Sequence, residues 1–226
     1  MRKGKSMKSS TKNMIQILIA ILLEFTILVG IVMFQQTIMM AFPLPVRAVL
    51  MIVIQWTLLI VPVLFMLKNK ENLSHIGFSK RNILGQVIIG ILVAIIMSSI
   101  LTILPILVGL KDMVGSTTYT KAWQFAYQFL YMILGVAFVE EIFYRGFLFK
   151  RLLDINGSKW FAIIISSIIF GLSHMMNGNI IQVIATSLLG VVFCLCREKI
   201  KHCTTLSLIL IHGIHNACIT LFVAIL

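Results

Sequence analysis

Charge is scarce in this sequence. Of its 226 residues only 12% are Asp, Glu, Lys or Arg, and only seven of these are acidic. A soluble domain carries about a quarter charged residues, so an ordinary water-facing surface is excluded. Cysteine is scarce too. Cys194, Cys196, Cys203 and Cys218 form no Cys-x-x-Cys pair and lie in or near the last two apolar runs, where they read as packing residues. There is no His-Glu-x-x-His and no Gly-x-Ser-x-Gly, which removes the signatures of zinc proteases and of serine hydrolases. No Ser or Cys is paired with an evident base. The nearest, Ser173, points about 100° away from its helix neighbour His174. No internal repeat or low-complexity tract stands out.

What the sequence has in abundance is apolar length. Hydrophobic residues make up 60% of it, with mean hydropathy +1.06. A membrane-crossing helix needs about 20 apolar residues in succession. Runs free of Asp, Glu, Lys and Arg supply them: Phe25–Val46, Ala48–Leu67, Ile83–Leu110, Ala122–Val139, Trp160–Cys196 and His202–Leu226. Trp160–Cys196 is long enough for two passes, with Asn177-Gly178-Asn179 as the turn. The first helix spans roughly Met14–Phe34 and carries one acid, Glu24. Lacking a small-x-small cleavage site, it reads as an uncleaved anchor. The expected fold is an all-α polytopic membrane bundle of about seven helices.

A net charge of +12 raises the question of nucleic acid. The placement of the charge answers it. With the N-terminus cytosolic, five basic residues precede Met14 on the inner side, followed there by Lys68, Lys70, Lys80 and Arg81. Arg145, Lys150, Arg151, Lys159, Arg197, Lys199 and Lys201 complete the inner set, leaving only Arg47, Lys111 and Lys121 outside. This is the positive-inside pattern, for which anionic lipid is a sufficient partner. The basic residues form no single aromatic-interleaved groove, so no nucleic-acid partner is expected.

Ionisable side chains in lipid are costly and face a bundle interior or a cavity. Apart from Glu24, all of them lie in the last half of the chain. Residues 1–121 therefore read as N-terminal helices and loops, and residues 122–226 as the chemical core. Three clusters stand out there: Glu140-Glu141-Ile142-Phe143-Tyr144-Arg145, Phe170-Gly171-Leu172-Ser173-His174, and His212-Gly213-Ile214-His215-Asn216. Glu140 and Glu141 sit about 100° apart on a helix and do not easily share one partner. Glu141 and Arg145 have the favourable i,i+4 order for a charge pair, which leaves Glu140 free of a local cation and suited to act as a general base. The plainer alternative is a salt-bridge lattice of both glutamates with Arg145, Lys150 and Arg151.

Depth favours a shared site. Glu140 lies about 15 residues before the middle of the Asp154-Ile155-Asn156-Gly157-Ser158 turn and His174 about 18 after it, roughly 23 and 27 Å up two helices. His212 opens the last helix, with Asn216 one turn higher on the same face. His215, at i+3 from His212, is an alternative to it. A single histidine on an apolar helix is usually a packing residue, and His75 and His202 belong to loops. An acid, two histidines and an amide at compatible depth are harder to dismiss. Glu with a neutral His can deprotonate a water for attack on a carbonyl, and a second His with an Asn amide can stabilise the oxyanion. Two histidines and a glutamate would also meet a catalytic zinc's ligand count, but no paired-ligand spacing supports zinc, and a metal-free, cofactor-free site is preferred.

Glu-Glu-x-x-x-Arg, then Phe-x-x-x-His, then His-x-x-x-Asn on successive late helices resembles the CPBP family of intramembrane proteases. This is the group of type II CAAX prenyl endopeptidases and bacteriocin-processing or immunity proteins, also called Abi. The matching residues are Glu140, Glu141, Arg145, Phe170, His174, His212 and Asn216. The resemblance covers roughly residues 122–226 and implies a metal-independent peptidase. In it Glu140 and His174 would activate water, His212 and Asn216 would form the oxyanion hole, and Glu141 and Arg145 would brace the first motif. The Ile-, Lys-, Asn- and Met-rich composition points to a bacterium of low genomic GC and so to its cell membrane. A bacteriocin leader or peptide pheromone precursor then fits better than a prenylated protein. A non-catalytic immunity or regulatory protein remains the alternative. A transporter is disfavoured, since the helices carrying the clusters have no proline and show no half-to-half similarity.

Overall fold

Apolar runs become helices here because a backbone in hydrocarbon must satisfy its own hydrogen bonds. The computed structural model describes residues 2–175 and 179–226. Among these described residues, seven principal helices follow in chain order: α1 (Arg2–Ala41), α2 (Leu44–Lys68), α3 (Ile83–Leu107), α4 (122–156), α5 (Lys159–Ser173), α6 (Ile180–Lys199) and α7 (Thr205–Ile225). No strand occurs among the described residues. Five of these helices are long and apolar enough to cross a membrane, while α5 is shorter and α4 carries charge. The fold is an all-α membrane bundle.

Local chemistry sets the boundaries. The first helix extends beyond Met14–Phe34 at both ends, since no proline interrupts the chain before Pro43. Within α2, Thr57–Leu59 tightens into a 3₁₀ turn just ahead of Pro62, which cannot donate to the carbonyl four residues back. Asn82, Ser158 and Asn179 cap α3, α5 and α6 by accepting from the amides of Gly85, Phe161 and Gln182 at 3.3, 3.3 and 3.0 Å. Gly157, with φ +75°, ends α4. Of the expected turn Asn177-Gly178-Asn179, the first two residues lie outside the described residues.

Helix α4 is the axis of the molecule. It runs unbroken from Ala122 to Asn156, but Tyr131–Ala137 and Glu141–Leu148 take the wider π-helical winding. Every residue of Glu141–Leu148 is buried. Around it, α1 packs on its C-terminal end, α2 on Tyr131–Ala137 and α7 on both π segments, while α7 also lies along α3 and α5 pairs with α6. Gly213 permits the α4–α7 approach, since a Cβ there would lie 2.8 Å from the Ile133 Cα. Large apolar side chains such as Leu18, Leu22, Leu64, Leu84 and Leu188 face outward, as lipid contact requires.

At the C-terminal end of α4 the buried Arg151 holds three elements together. Its Nε donates to Gln16 Oε1 at 2.9 Å and its Nη2 to Glu71 Oε2 at 2.7 Å, while its guanidinium lies over the Phe147 ring. Lys150 pairs with Asp154, and Lys159 with Glu198 across α5 and α6 at 2.5 Å. Lys150 and Arg151 are thus engaged with other acids, so the lattice joining them to the glutamate pair is not formed.

Candidate active site

The glutamate pair sits where α4 changes winding: Glu140 ends the short α-helical stretch Phe138–Glu140 and Glu141 opens the second π segment. Wider turns of this kind often accompany functional sites. Glu141 is fully buried, and its Oε1 accepts from Arg145 Nη1 at 3.1 Å and from His212 Nδ1 at 2.8 Å. The guanidinium of Arg145 stacks over Phe170 at 4.0 Å and faces Phe193 at 5.0 Å. Arg197 on α6 donates to the Arg145 carbonyl. The i,i+4 pair read from the sequence is therefore present, inside a cage of rings.

Glu140 departs from the expectation that the two acids have separate partners. Its Oε2 lies 3.6 Å from His212 Nε2, the opposite ring nitrogen to the one held by Glu141. One imidazole stands between two carboxyls because its nitrogens lie on different ring edges, so acids about 100° apart on α4 can approach both. Glu140 is the exposed member of the pair, with 21% of its side chain accessible against none for Glu141.

His212 and His215 are separated by their surroundings. His212 faces the glutamates, whereas the buried His215 places Nδ1 3.2 Å from Ser98 Oγ on α3. Asn216 is half-buried one turn beyond His212. His174 lies just past the end of α5, where its Nδ1 approaches the Phe170 carbonyl at 2.9 Å. A carbonyl can only accept, so Nδ1 carries the hydrogen and a neutral ring leaves Nε2 with its lone pair. Phe170 meets His174 and His212 edge-on at 5.0 and 6.0 Å, placing both histidines around one ring. Ser173 does not point away as expected. Because the helix ends at Ser173, its Oγ reaches His174 Nδ1 at 3.3 Å, but it donates to the Phe170 carbonyl at 2.8 Å.

Two residues of this neighbourhood were not assigned a place from the sequence. Tyr144, buried inside the first motif, donates its hydroxyl to Glu24 Oε1 on α1. The available signal was Glu24's isolation as the one acid within the early apolar runs. The four cysteines are free. Burial pushes the thiol of Cys203, in the loop between α6 and α7, up to about 12, which leaves it protonated and poorly nucleophilic at neutral pH. Among the described residues, no three His, Cys, Asp or Glu side chains are grouped to hold a metal ion.

Fold and cluster together define a multi-pass membrane protein with an acid–histidine site buried in its helices. Residues 122–218 match the family model described as type II CAAX prenyl endopeptidase Rce1-like. That segment holds all three motifs, and through it the chain is similar to the CAAX-type endopeptidases. No curated protein and no solved structure matches the chain.

Proposed function

We propose that this protease hydrolyses a peptide bond of a membrane-associated peptide with a water activated by Glu140, in a bacterial cell membrane. The observation that carries the reading is the asymmetry of the pair. Glu141 is fully enclosed by Arg145 and His212, while Glu140 alone keeps accessible surface beside the same imidazole. Glu140, aided by the bare Nε2 of His174, takes a proton from water, and the hydroxide adds to the substrate carbonyl. His212, carrying a hydrogen on both ring nitrogens between the two carboxyls, donates from Nε2 to the oxyanion, and Asn216 donates from its amide. The intermediate then collapses as Glu140 passes its proton to the leaving amine. Residues 122–226 form the catalytic core in this reading, and residues 1–121 the helices that enclose it. The substrate class is a bacteriocin leader, a peptide pheromone precursor or a similar short membrane peptide.

The test is cleavage by purified protein in detergent or vesicles. Glu140→Gln keeps the shape and removes the base, so cleavage is lost while expression and insertion stay near the parent level. The same assay run after prolonged chelation retains full activity, because no step draws on a metal. Full biological activity in Glu140→Gln would assign the protein a binding role, as in immunity, instead. Activity lost on chelation and restored by zinc would make His174 and His212 ligands.

A further inference from the structure

We propose that Arg197, in the last turn of α6, is a positioning residue of the site. It fixes the wide winding of α4, and through that winding it holds Arg145, Glu141 and His212 in place. The observation that carries this is a hydrogen bond to the backbone. In an α-helix the Arg145 carbonyl would accept from the amide of Phe149, four residues on. Here the Phe149 amide is directed to the carbonyls of Gly146 and Tyr144 instead, and Nη1 of Arg197 donates to the Arg145 carbonyl. A side chain that inserts at the hydrogen-bond ladder alters the course of a helix. Arg145 lies within Glu141–Leu148, the segment wound as a π-helix.

The Arg197 guanidinium is itself held. It stacks over the Phe149 ring at 4.3 Å. Gly77, in the loop between α2 and α3, lies so near that a Cβ there would stand 3.4 Å from the same Nη1. One turn earlier on the same face of α6, the buried Phe193 meets the Arg145 guanidinium at 5.0 Å and the His212 ring at 4.9 Å. Helix α6 therefore grips Arg145 twice, with a ring on its side chain and a guanidinium on its backbone. From Arg145 the contacts run directly into the site. Its Nη1 donates to Glu141 Oε1 at 3.1 Å, and the same oxygen lies 2.8 Å from His212 Nδ1. A carbonyl on a buried residue such as Arg145 needs a donor. Without Arg197 it recovers the Phe149 amide, α4 tightens, and Arg145 turns about the helix axis away from Glu141. His212 then loses the anchored carboxylate that sets its ring between the two acids.

The kinetic arm of the test rests on the hydrolytic reading above, and a spectroscopic arm does not. Arg197→Met keeps an apolar stem against Phe149 and removes the donor, and it lowers kcat about tenfold with KM nearly unchanged. Arg197→Lys keeps a charged donor for that one carbonyl and stays within about threefold of the parent kcat. A side chain needed only for packing would show the opposite order, with Met tolerated better than Lys. Independently of cleavage, the ¹³C resonance of the Arg145 carbonyl and the ¹⁵N resonance of His212 Nδ1 both move in Arg197→Met. In Arg197→Lys both return toward their parent positions. Should Arg197→Met fail to accumulate, Arg197→Gln, whose amide is too short to reach the carbonyl, carries both measurements. Unchanged kcat in Arg197→Met, equal losses in Arg197→Met and Arg197→Lys, or a His212 resonance that stays in place would each overturn the assignment. A parent protein without any cleavage would sink the hydrolytic reading and leave the spectra to decide this one.

Discussion

At the scale of single residues, the two glutamates differ more in surroundings than in chemistry. Glu141 is buried against Arg145 and His212, so Glu141→Gln strands a guanidinium away from water. That loss is worth on the order of 3 kcal/mol, and both activity and protein level fall. A melting curve in detergent checks this: Glu141→Gln melts well below the parent, and Glu140→Gln melts close to it. Much of this was legible in the sequence because ionisable groups are conspicuous against an apolar background. Glu140, Glu141, Arg145 and His212 could be picked out before any packing was known. The choice between His212 and His215 could not be made, since three-residue spacing leaves both on nearly one face of α7. Their partners separate them: Glu141 holds His212, and Ser98, more than a hundred residues before it, meets His215. Glu24 was visible as an oddity, but its partner Tyr144 has no charge to reveal it.

At the scale of helices, the site depends on how closely α7 approaches α4. Gly213 follows His212, and a Cβ there would lie 2.7 Å from Ile133 Cγ1 and 2.8 Å from its Cα. A side-chain atom can rotate away, but a backbone atom cannot without moving its helix. Gly213→Ala therefore displaces α7, draws His212 from the carboxyls, and costs about 1–3 kcal/mol of stability together with most of the activity. Gly30→Ala on α1 is the control, since nothing lies within 4 Å of its added methyl. There the better helix propensity of alanine leaves stability equal or slightly higher. Equal behaviour of the two variants would show that the close crossing has no role. Helix existence and order were readable from charge-free runs and from the Asp154-Ile155-Asn156-Gly157-Ser158 turn. The π-helical winding of α4 was not, because it leaves no periodic mark in the sequence.

At the scale of the molecule, the distribution of Lys and Arg predicts an orientation that labelling can test. Single-cysteine labelling is expected to place residues 68–82, 154–158 and 197–203 in the cytosol with the N-terminus, and residues 111–121 outside. Labelling of 111–121 from the cytosol alone would overturn this arrangement. The character of α4 has a further consequence, for biogenesis. Glu140, Glu141 and Arg145 lie within the single helix α4, and a charged residue near the middle of a membrane-crossing helix raises the insertion cost by about 2.5–3.5 kcal/mol. Such a segment is a poor client for the translocon when it emerges alone. The earlier helices already hold Glu24 and Gln16, the groups that receive Tyr144 and Arg151. They are made first, and their presence in the bilayer gives α4 polar partners as it leaves the ribosome, so the order of synthesis is also an order of chaperoning within one chain.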